Sequence, residues 1–288
     1  MSATADAPAH FRRGATRPGP LGLIREALVE VAQRRRLIGY LVQADVRKKG
    51  ADTLLGNLWW VIDPLLQMAV YVVLVSVVFK RGVEDYPLFI FCAILPWKWF
   101  QTTVQDAITS VTGADRLIRQ IQFPKLVLPV ASAFAGIVNF AFGLIPLTAL
   151  ILLLYRDRLS ATLLVIPLIG VVQFFFNLAI AVGLAAINVF YRDIGNLSRH
   201  ALRLWFYLSP GLYAIEDLET ATADIPVVHQ LLLANPFAIL FTAYRDVIYD
   251  QRLPDWGGLA GLLVASLVLL AATTLMFKRV EPSFAKVL

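Results

Sequence analysis

The sequence predicts an all-α integral membrane protein with six transmembrane helices, and two observations support this fold class. Of the 288 residues, 58% are hydrophobic and 16% are charged, and the mean hydropathy is +0.69. A soluble domain of this length is nearer half apolar and a quarter charged. The apolar residues are also gathered in blocks of about 20 residues or more, the length that crosses a hydrocarbon core of ~30 Å.

Six apolar blocks are expected to span the membrane, and together they define a six-span transmembrane domain over residues 57–288. In chain order the spans are 57–79, 87–112, 126–154, 159–190, 198–215 and 257–277. The second is the weakest, because polar residues including Gln105 and Asp106 interrupt it. The fourth is longer than one straight span needs.

The orientation follows from the lysines and arginines that flank the spans. With a cytoplasmic N-terminus, nineteen of the 26 basic residues fall on the cytoplasmic side, six fall outside, and Lys98 lies within the second span. Both termini are therefore expected in the cytoplasm. The net charge of +6 and the pI near 9.5 are explained by this placement, so no nucleic-acid partner is expected.

The segment before the first span divides into two parts. Residues 1–20 contain no apolar core of signal-peptide length and predict a disordered cytoplasmic tail that is not cleaved. Residues 21–33 predict an amphipathic helix, since Ile24, Leu28 and Val31 recur at helical spacing. With the basic clusters up to residue 56, this helix suits the cytoplasmic headgroup layer and its lipids. The same basic residues also act as topology determinants.

The apolar segment 231–249 could be a seventh span, but that would put the basic C-terminal tail outside. It would also place Asn235-Pro236 and Arg245-Asp246 in lipid. We favour short re-entrant helices over about 216–256, because broken backbone is tolerated at membrane depth where protein shields it.

No motif for catalysis, metal binding or nucleotide hydrolysis is found in the sequence, so we expect neither an enzyme nor a metal or cofactor on this chain. The lone cysteine, Cys92, can form no disulfide within the chain. Asp63 and Asp106 lie within apolar blocks, where ionisable residues are functional candidates. They could serve a proton-coupled carrier, but pairing with basic residues is the favoured interpretation.

Aromatic residues are spread through the spans, and some could line a passage for a carbohydrate, because aromatic faces stack on the apolar faces of sugars. Alternatively they form interfacial belts and pack against neighbouring helices. The candidates for lining a passage are Trp59, Trp60, Trp97, Trp99, Phe100, Phe174 and Tyr207.

The segment "RLIRQIQFPKLVLP", residues 116–129, predicts a short two-faced helix at about 114–124. Leu117, Ile118 and Ile121 share one arc of a helical wheel and Arg116 and Arg119 the other. The helix should stop before proline, because the residue preceding a proline avoids the helical region. Such a helix could dock on a partner, or it could lie on the inner leaflet.

Five segments together resemble one family, the transmembrane subunits of type-2 ABC exporters for bacterial cell-surface polysaccharides such as O-antigen and teichoic acid. They are residues 47–79, which contain "LGNLWWVIDPLL", the segment 116–129 above, "YRDIGNL" at 191–197, "SPGLY" at 209–213, and "NPF…YRDVI" at 235–248. They occur in the family's order and cover the chain from about residue 38 to its end.

The resemblance implies a homodimer of twelve spans in the bacterial inner membrane, with two separate ABC ATPase subunits that hold ATP and Mg²⁺. It implies a polysaccharide cargo carried on a polyprenyl diphosphate. The ATPase-coupling residues would be Arg116, Leu117, Ile118, Arg119, Ile121, Phe123 and Pro124, with Arg192 and Asp193 as a second contact. Candidates for the lipid diphosphate are Arg34, Arg35, Arg36, Arg47, Lys48 and Lys49, and candidates for an outer gate are Asn235, Pro236, Phe237, Tyr244 and Arg245.

Three other functions remain as alternatives. The same ABC machine could carry capsule, a glycolipid or a drug. An ion-coupled carrier could use Asp63 and Asp106. A membrane-embedded transferase is disfavoured, because no catalytic constellation is found in the sequence.

Overall fold

The computed structural model describes residues 19–51, 53–78, 83–213 and 234–287. Within these residues every regular element is helical and no β-strand occurs, as the sequence predicts. The predicted disordered tail and much of the predicted re-entrant region lie outside the described residues.

Ten α-helices are numbered here in chain order along the described residues. They are α1 (Pro20–Gln33), α2 (Arg35–Gly50), α3 (Trp59–Val72), α4 (Tyr86–Ser110), α5 (Asp115–Gln120), α6 (Val127–Leu154), α7 (Ile166–Phe190), α8 (Ile194–Leu208), α9 (Pro236–Ile248) and α10 (Trp256–Val287). Helix α1 confirms the helix expected at 21–33, whereas the helical course of α2 through the basic segment was not expected.

Four helical segments of the described residues are long and apolar enough to cross a membrane. They are Gly56–Val78, Val127–Leu154, Ala161–Phe190 and Trp256–Phe284. They match the first, third, fourth and sixth predicted spans. The first includes a π-helical stretch, Val73–Val78, that continues α3, and the last is part of a longer helix than expected.

Helix α4, the weakest predicted span, lies at the centre of the bundle. It packs against α3, α6, α7, α8 and α9, and most of its residues are buried. Two of its charged side chains are paired with neighbouring helices, Lys98 with Asp63 of α3 and Asp106 with Lys49 of α2. Gln173 of α7 also donates from Nε2 to the backbone carbonyl oxygen of Pro96 at 2.7 Å. Contacts with neighbouring helices therefore stabilise α4, although its hydropathy is low.

The fifth predicted span, 198–215, differs from the structure. Helix α8 begins earlier, at Ile194, and ends at Leu208, with Ser209 in extended conformation before Pro210. Its 15 residues extend only ~22 Å, less than the ~30 Å of a hydrocarbon core. Helix α9 has 13 residues and is shorter still, so it does not supply the seventh span that the sequence analysis rejected.

The two ends of the bundle differ in charge. At one end, called the basic end here, lie Lys49, Arg116, Arg192 and Lys278, together with α1, α2 and α5. At the opposite end, Arg158 donates from Nη2 to Asp85 and from Nη1 to the Tyr249 carbonyl oxygen, both at 2.9 Å. These contacts join the start of α4, the end of α6 and the end of α9.

Candidate sites for coupling and transport

The coupling segment, defined here as residues 115–124, follows α4 at the basic end. Helix α5 forms its first part, and Asp115 accepts a hydrogen bond from Nε of Arg119 at 2.7 Å, one turn later. The side chains of Arg116 and Arg119 are exposed. The segment therefore presents two guanidinium groups at the surface, as its sequence predicts.

The apolar side of the coupling segment differs from the prediction. The helix ends at Gln120 rather than next to Pro124, and Ile121 has an extended backbone and is 54% exposed. Ile118 and Phe123 are instead buried in the chain's own core, and Leu117 packs against that core. The predicted apolar arc is therefore divided, because Ile118 is buried whereas Ile121 lies at the surface. Phe123, which follows the helix, is buried beside Ile118 in the same core.

The predicted second ATPase contact, at Arg192 and Asp193, lies beside the coupling segment. A pocket of about 570 Å³ at the basic end is lined by the end of α4, the end of α7 and the start of α8, and both Asp115 and Arg192 border it. Arg192 and Asp193 are exposed. Asn188 fixes one wall by donating from Nδ2 to the carbonyl oxygen of Ile108 at 2.8 Å. The fold thus brings two segments that are distant in sequence to one surface.

The predicted diphosphate residues fall into two groups. Arg34, Arg35, Arg36, Arg47 and Lys48 are exposed at the basic end.

Lys49 differs from them, because its Nζ lies 2.5 Å from Asp106 and 2.9 Å from Asp45. Burial lowers the pKa of Lys49, but the two carboxylates outweigh burial and raise the pKa above its usual value. Lys49 therefore joins α2 to α4 through an ion pair, and its role in binding the diphosphate stays a prediction.

Asp63 is also paired with a lysine. Its Oδ2 lies 2.5 Å from Nζ of Lys98, and both side chains border a cleft of about 200 Å³ between α3, α4 and α6. Trp59 and Trp60 line the same cleft, and Trp59 is exposed. The pairing of Asp63 and Asp106 with basic residues, favoured from the sequence, is confirmed.

The remaining aromatic candidates divide between core and surface. Trp97 and Phe100 are buried, and their ring centroids lie 4.7 Å and 4.8 Å from that of Phe237. They pack against α9 in the single chain, and their place along a glycan passage stays a prediction. Trp99 is likewise buried, and its ring stacks on Phe140 at 4.6 Å, although it borders the cleft beside Asp63.

Phe174 and Tyr207 lie nearer the surface. Phe174 is partly buried, and its ring centroid lies 5.1 Å from that of Phe134. Tyr207 is about half exposed on α8. Of the aromatic candidates, Trp59 and Tyr207 are exposed, whereas Trp60 and Phe174 are partly buried.

The predicted outer-gate residues begin or belong to α9. Asn235 caps the helix by accepting from the Phe237 N–H at 3.0 Å, and Pro236 occupies its first position. Tyr244 donates to Gln173, and the Arg245 guanidinium donates from Nη2 to the Gly211 carbonyl oxygen at 2.6 Å.

All of these gate residues except Pro236 are buried. They fix α9 in the bundle, and their role as an outer gate stays a prediction.

Comparison with known proteins places this arrangement in a family. The chain is 33% identical over 258 residues to the O-antigen export system permease protein RfbA of Myxococcus xanthus, covering 89% of this chain and 97% of the relative. Two proteins of the same description from Klebsiella pneumoniae are 24% identical over 253 residues, covering 88% of this chain and 95% of each relative. No protein-family model matches the chain. The chain belongs to the O-antigen export system permeases.

Several residues of the permease that shape these sites were not singled out in the sequence. Lys98 was considered only when the basic residues were counted, yet it forms an ion pair with Asp63. Gln173 and Asn188 were not considered, although each donates to a carbonyl oxygen of α4 from within an apolar span. Their signal was available, because a polar residue inside an apolar block needs a partner.

Proposed function

We propose that the permease is the membrane subunit of an ATP-driven exporter of an O-antigen-like polysaccharide linked to polyprenyl diphosphate. The cargo passes from the cytoplasm across the bacterial inner membrane. The observation that carries this proposal is the match to an O-antigen export permease over nearly the full length of both chains. The proposal includes six spans for each chain, with α4 as the second, the chain from α8 to about residue 215 as the fifth, and α9 re-entrant.

Two copies of the permease form the channel, and two copies of a separate ABC ATPase bind ATP and Mg²⁺ at the basic end. The excess of lysine and arginine in the flanks supports a cytoplasmic basic end and cytoplasmic termini. The exposed Arg116 and Arg119, with Arg192 beside the same pocket, offer a surface for acidic groups of the ATPase.

Energy enters the membrane domain through the coupling segment. Ile118 and Phe123 are buried among residues of α1, α6, α7 and α10. Packed side chains transmit displacement, because protein interiors are close-packed and deform little. A displacement of the exposed arginines by the ATPase therefore moves the helices among which Ile118 and Phe123 are packed.

The cargo is recognised at two places. The exposed cluster Arg34, Arg35, Arg36, Arg47 and Lys48 attracts the diphosphate, since guanidinium groups bind phosphate in a bidentate manner. The cleft with Trp59 and Trp60 offers aromatic faces to the sugar units. The lysine partners of Asp63 and Asp106 weigh against a carrier in which these acids bind and release protons.

The test begins with a strain that lacks the permease. It should accumulate a polyprenyl-diphosphate-linked glycan inside the cell, identified by mass spectrometry of extracted lipids. A capsule precursor or a simple glycolipid in its place would reassign the cargo. In vesicles with the partner ATPase, export should require ATP and survive collapse of the proton gradient. Export that persists without ATP and stops on collapse would overturn the proposal in favour of a carrier.

A further inference from the structure

A buried lysine at the basic end joins carboxylates of two helices. Nζ of Lys278 on α10 lies 2.9 Å from Glu30, 3.1 Å from Glu26 and 3.3 Å from Glu281. The side chain of Lys278 is 7% exposed. Because a buried charge is stable only when it is paired, this ion cluster fastens α1 to α10.

Glu281 makes a second contact on its other oxygen. Its Oε1 accepts a hydrogen bond from the backbone N–H of Lys125 at 2.7 Å, while Oε2 faces Lys278. Lys125 directly follows Pro124, the last residue of the coupling segment. A carboxylate that accepts from an N–H forms a short, charge-assisted hydrogen bond. One side chain therefore binds both the chain leaving the coupling segment and the ion cluster.

The apolar contacts follow the same route. Ile118 and Phe123 belong to one buried cluster with Ala27 of α1 and with Phe277 and Phe284 of α10. The rings of Phe277 and Phe284 meet edge to face at 5.2 Å, on either side of Glu281 in the sequence. The coupling segment, α1 and α10 are thus joined by polar and apolar contacts at one place.

We propose that Glu281 is a positioning residue that couples the movement of the coupling segment to α10. This rests on the proposed function, because it assigns the route by which an ATPase-driven displacement reaches the membrane helices. Packed side chains together with hydrogen bonds and salt bridges can carry coupling between distant sites. The Lys125 N–H bond to Glu281 is the polar link in that set.

The experiment uses the complex of permease and partner ATPase in proteoliposomes, with the lipid-linked glycan from the deletion strain. Glycan translocated and ATP hydrolysed are measured together. Glu281→Ala should lower the glycan exported per ATP by about fivefold or more, with unchanged co-purification of the ATPase. Glu281→Gln keeps an oxygen that accepts from the Lys125 N–H and should stay within about twofold of the wild-type ratio. That rescue separates positioning from a general loss of stability.

Two further variants make the test decisive. Glu26→Gln changes a carboxylate that touches Lys278 but not Lys125, and it should export at the wild-type ratio. Lys125→Pro removes the N–H donor and leaves the ion cluster intact, so it should show the same loss of glycan exported per ATP as Glu281→Ala. It still tests the link if Glu281→Ala fails to insert into the membrane.

A wild-type ratio in Lys125→Pro, or in an inserted Glu281→Ala, overturns the inference. Equal losses in Glu281→Ala and Glu281→Gln overturn it as well. A wild-type complex that exports nothing with ATP overturns the proposed function, and the inference with it.

Discussion

The approach of α6 to α4 at Gly136 is close enough to be tested by adding one methyl group. A Cβ at Gly136 would lie 2.1 Å from Oγ1 of Thr103 and 3.0 Å from Nε1 of Trp99. Both neighbours are buried, so neither can retreat into open space. Overpacking of this kind costs about 1–3 kcal/mol, partly offset by the higher helix propensity of alanine, about 1 kcal/mol. We therefore expect Gly136→Ala to lower the free energy of unfolding by up to about 2 kcal/mol.

The matched control is Gly261→Ala in α10, where no atom lies within 4 Å of the added Cβ. There only the propensity term of about 1 kcal/mol acts, and it stabilises the helix. Thermal unfolding of the purified permease can be measured in detergent as the loss of the monodisperse fraction. Gly136→Ala should unfold at a lower temperature than wild type and Gly261→Ala at a higher one. The double variant Thr103→Ala, Gly136→Ala removes the obstructing hydroxyl and should recover most of the loss. If Gly136→Ala is as stable as Gly261→Ala, the close approach of the two helices is wrong.

Four further predictions concern the basic end, the core and the cleft beside Asp63. Changing Arg116 and Arg119 together to glutamate should leave the permease in the membrane but abolish co-purification of the ATPase, since both side chains are exposed. Trp97→Ala should lower stability by about 3–5 kcal/mol, because the indole is buried among aromatic rings. Trp59→Ala should change stability by less than about 0.5 kcal/mol and slow export. Lys49→Met should destabilise by about 1–3 kcal/mol, because it leaves a partly buried carboxylate without its lysine.

Each of these has its own contradicting outcome, and for Trp59→Ala it is export at the wild-type rate. Unchanged co-purification of the double glutamate variant would move the ATPase contact away from the coupling segment. If Trp97→Ala unfolds like wild type, the indole does not stabilise the core, and a role in lining the substrate path is favoured instead. For Lys49→Met, adding Asp106→Leu should restore stability, since an ion pair and an apolar pair of similar volume are often equivalent. No recovery would mean that Lys49 acts through other groups.

Hydropathy predicts the helices that face lipid and underestimates the helix that faces protein. Val127–Leu154 and Ala161–Phe190 agree with their predicted bounds within about two residues, because they are apolar on every side. Helix α4 reads as the weakest span, since Lys98 and Asp106 lower its hydropathy. The structure gives each of them a partner on α3 or α2, and no pattern within α4 itself could reveal that partner.

Periodicity was sufficient to predict a helix in the coupling segment but not its end. Leu117, Ile118 and Ile121 fit one helical arc, yet the chain leaves the helix before Ile121. It does so where Phe123 enters a core formed with α1 and α10, a contact between residues far apart in sequence. Aromatic composition has the same limit. A ring that stacks on a sugar and a ring that packs on Phe237 look alike until the neighbouring helix is placed.

The length of α10 has a consequence for how this family can vary. The helix is continuous over 32 residues, about 48 Å at 1.5 Å per residue. Its start is fixed at the opposite end by Asp255, which accepts from the N–H groups of Gly257 and Gly258 at 2.9 Å and 3.0 Å. Near its other end, Lys278 must face Glu30.

One inserted residue between these two points would lengthen the helix by only ~1.5 Å but rotate Lys278 by ~100°. Hydropathy would be unchanged, yet the lysine would point away from α1. Insertions and deletions among related permeases should therefore collect in the loops and avoid the stretch from 256 to 278.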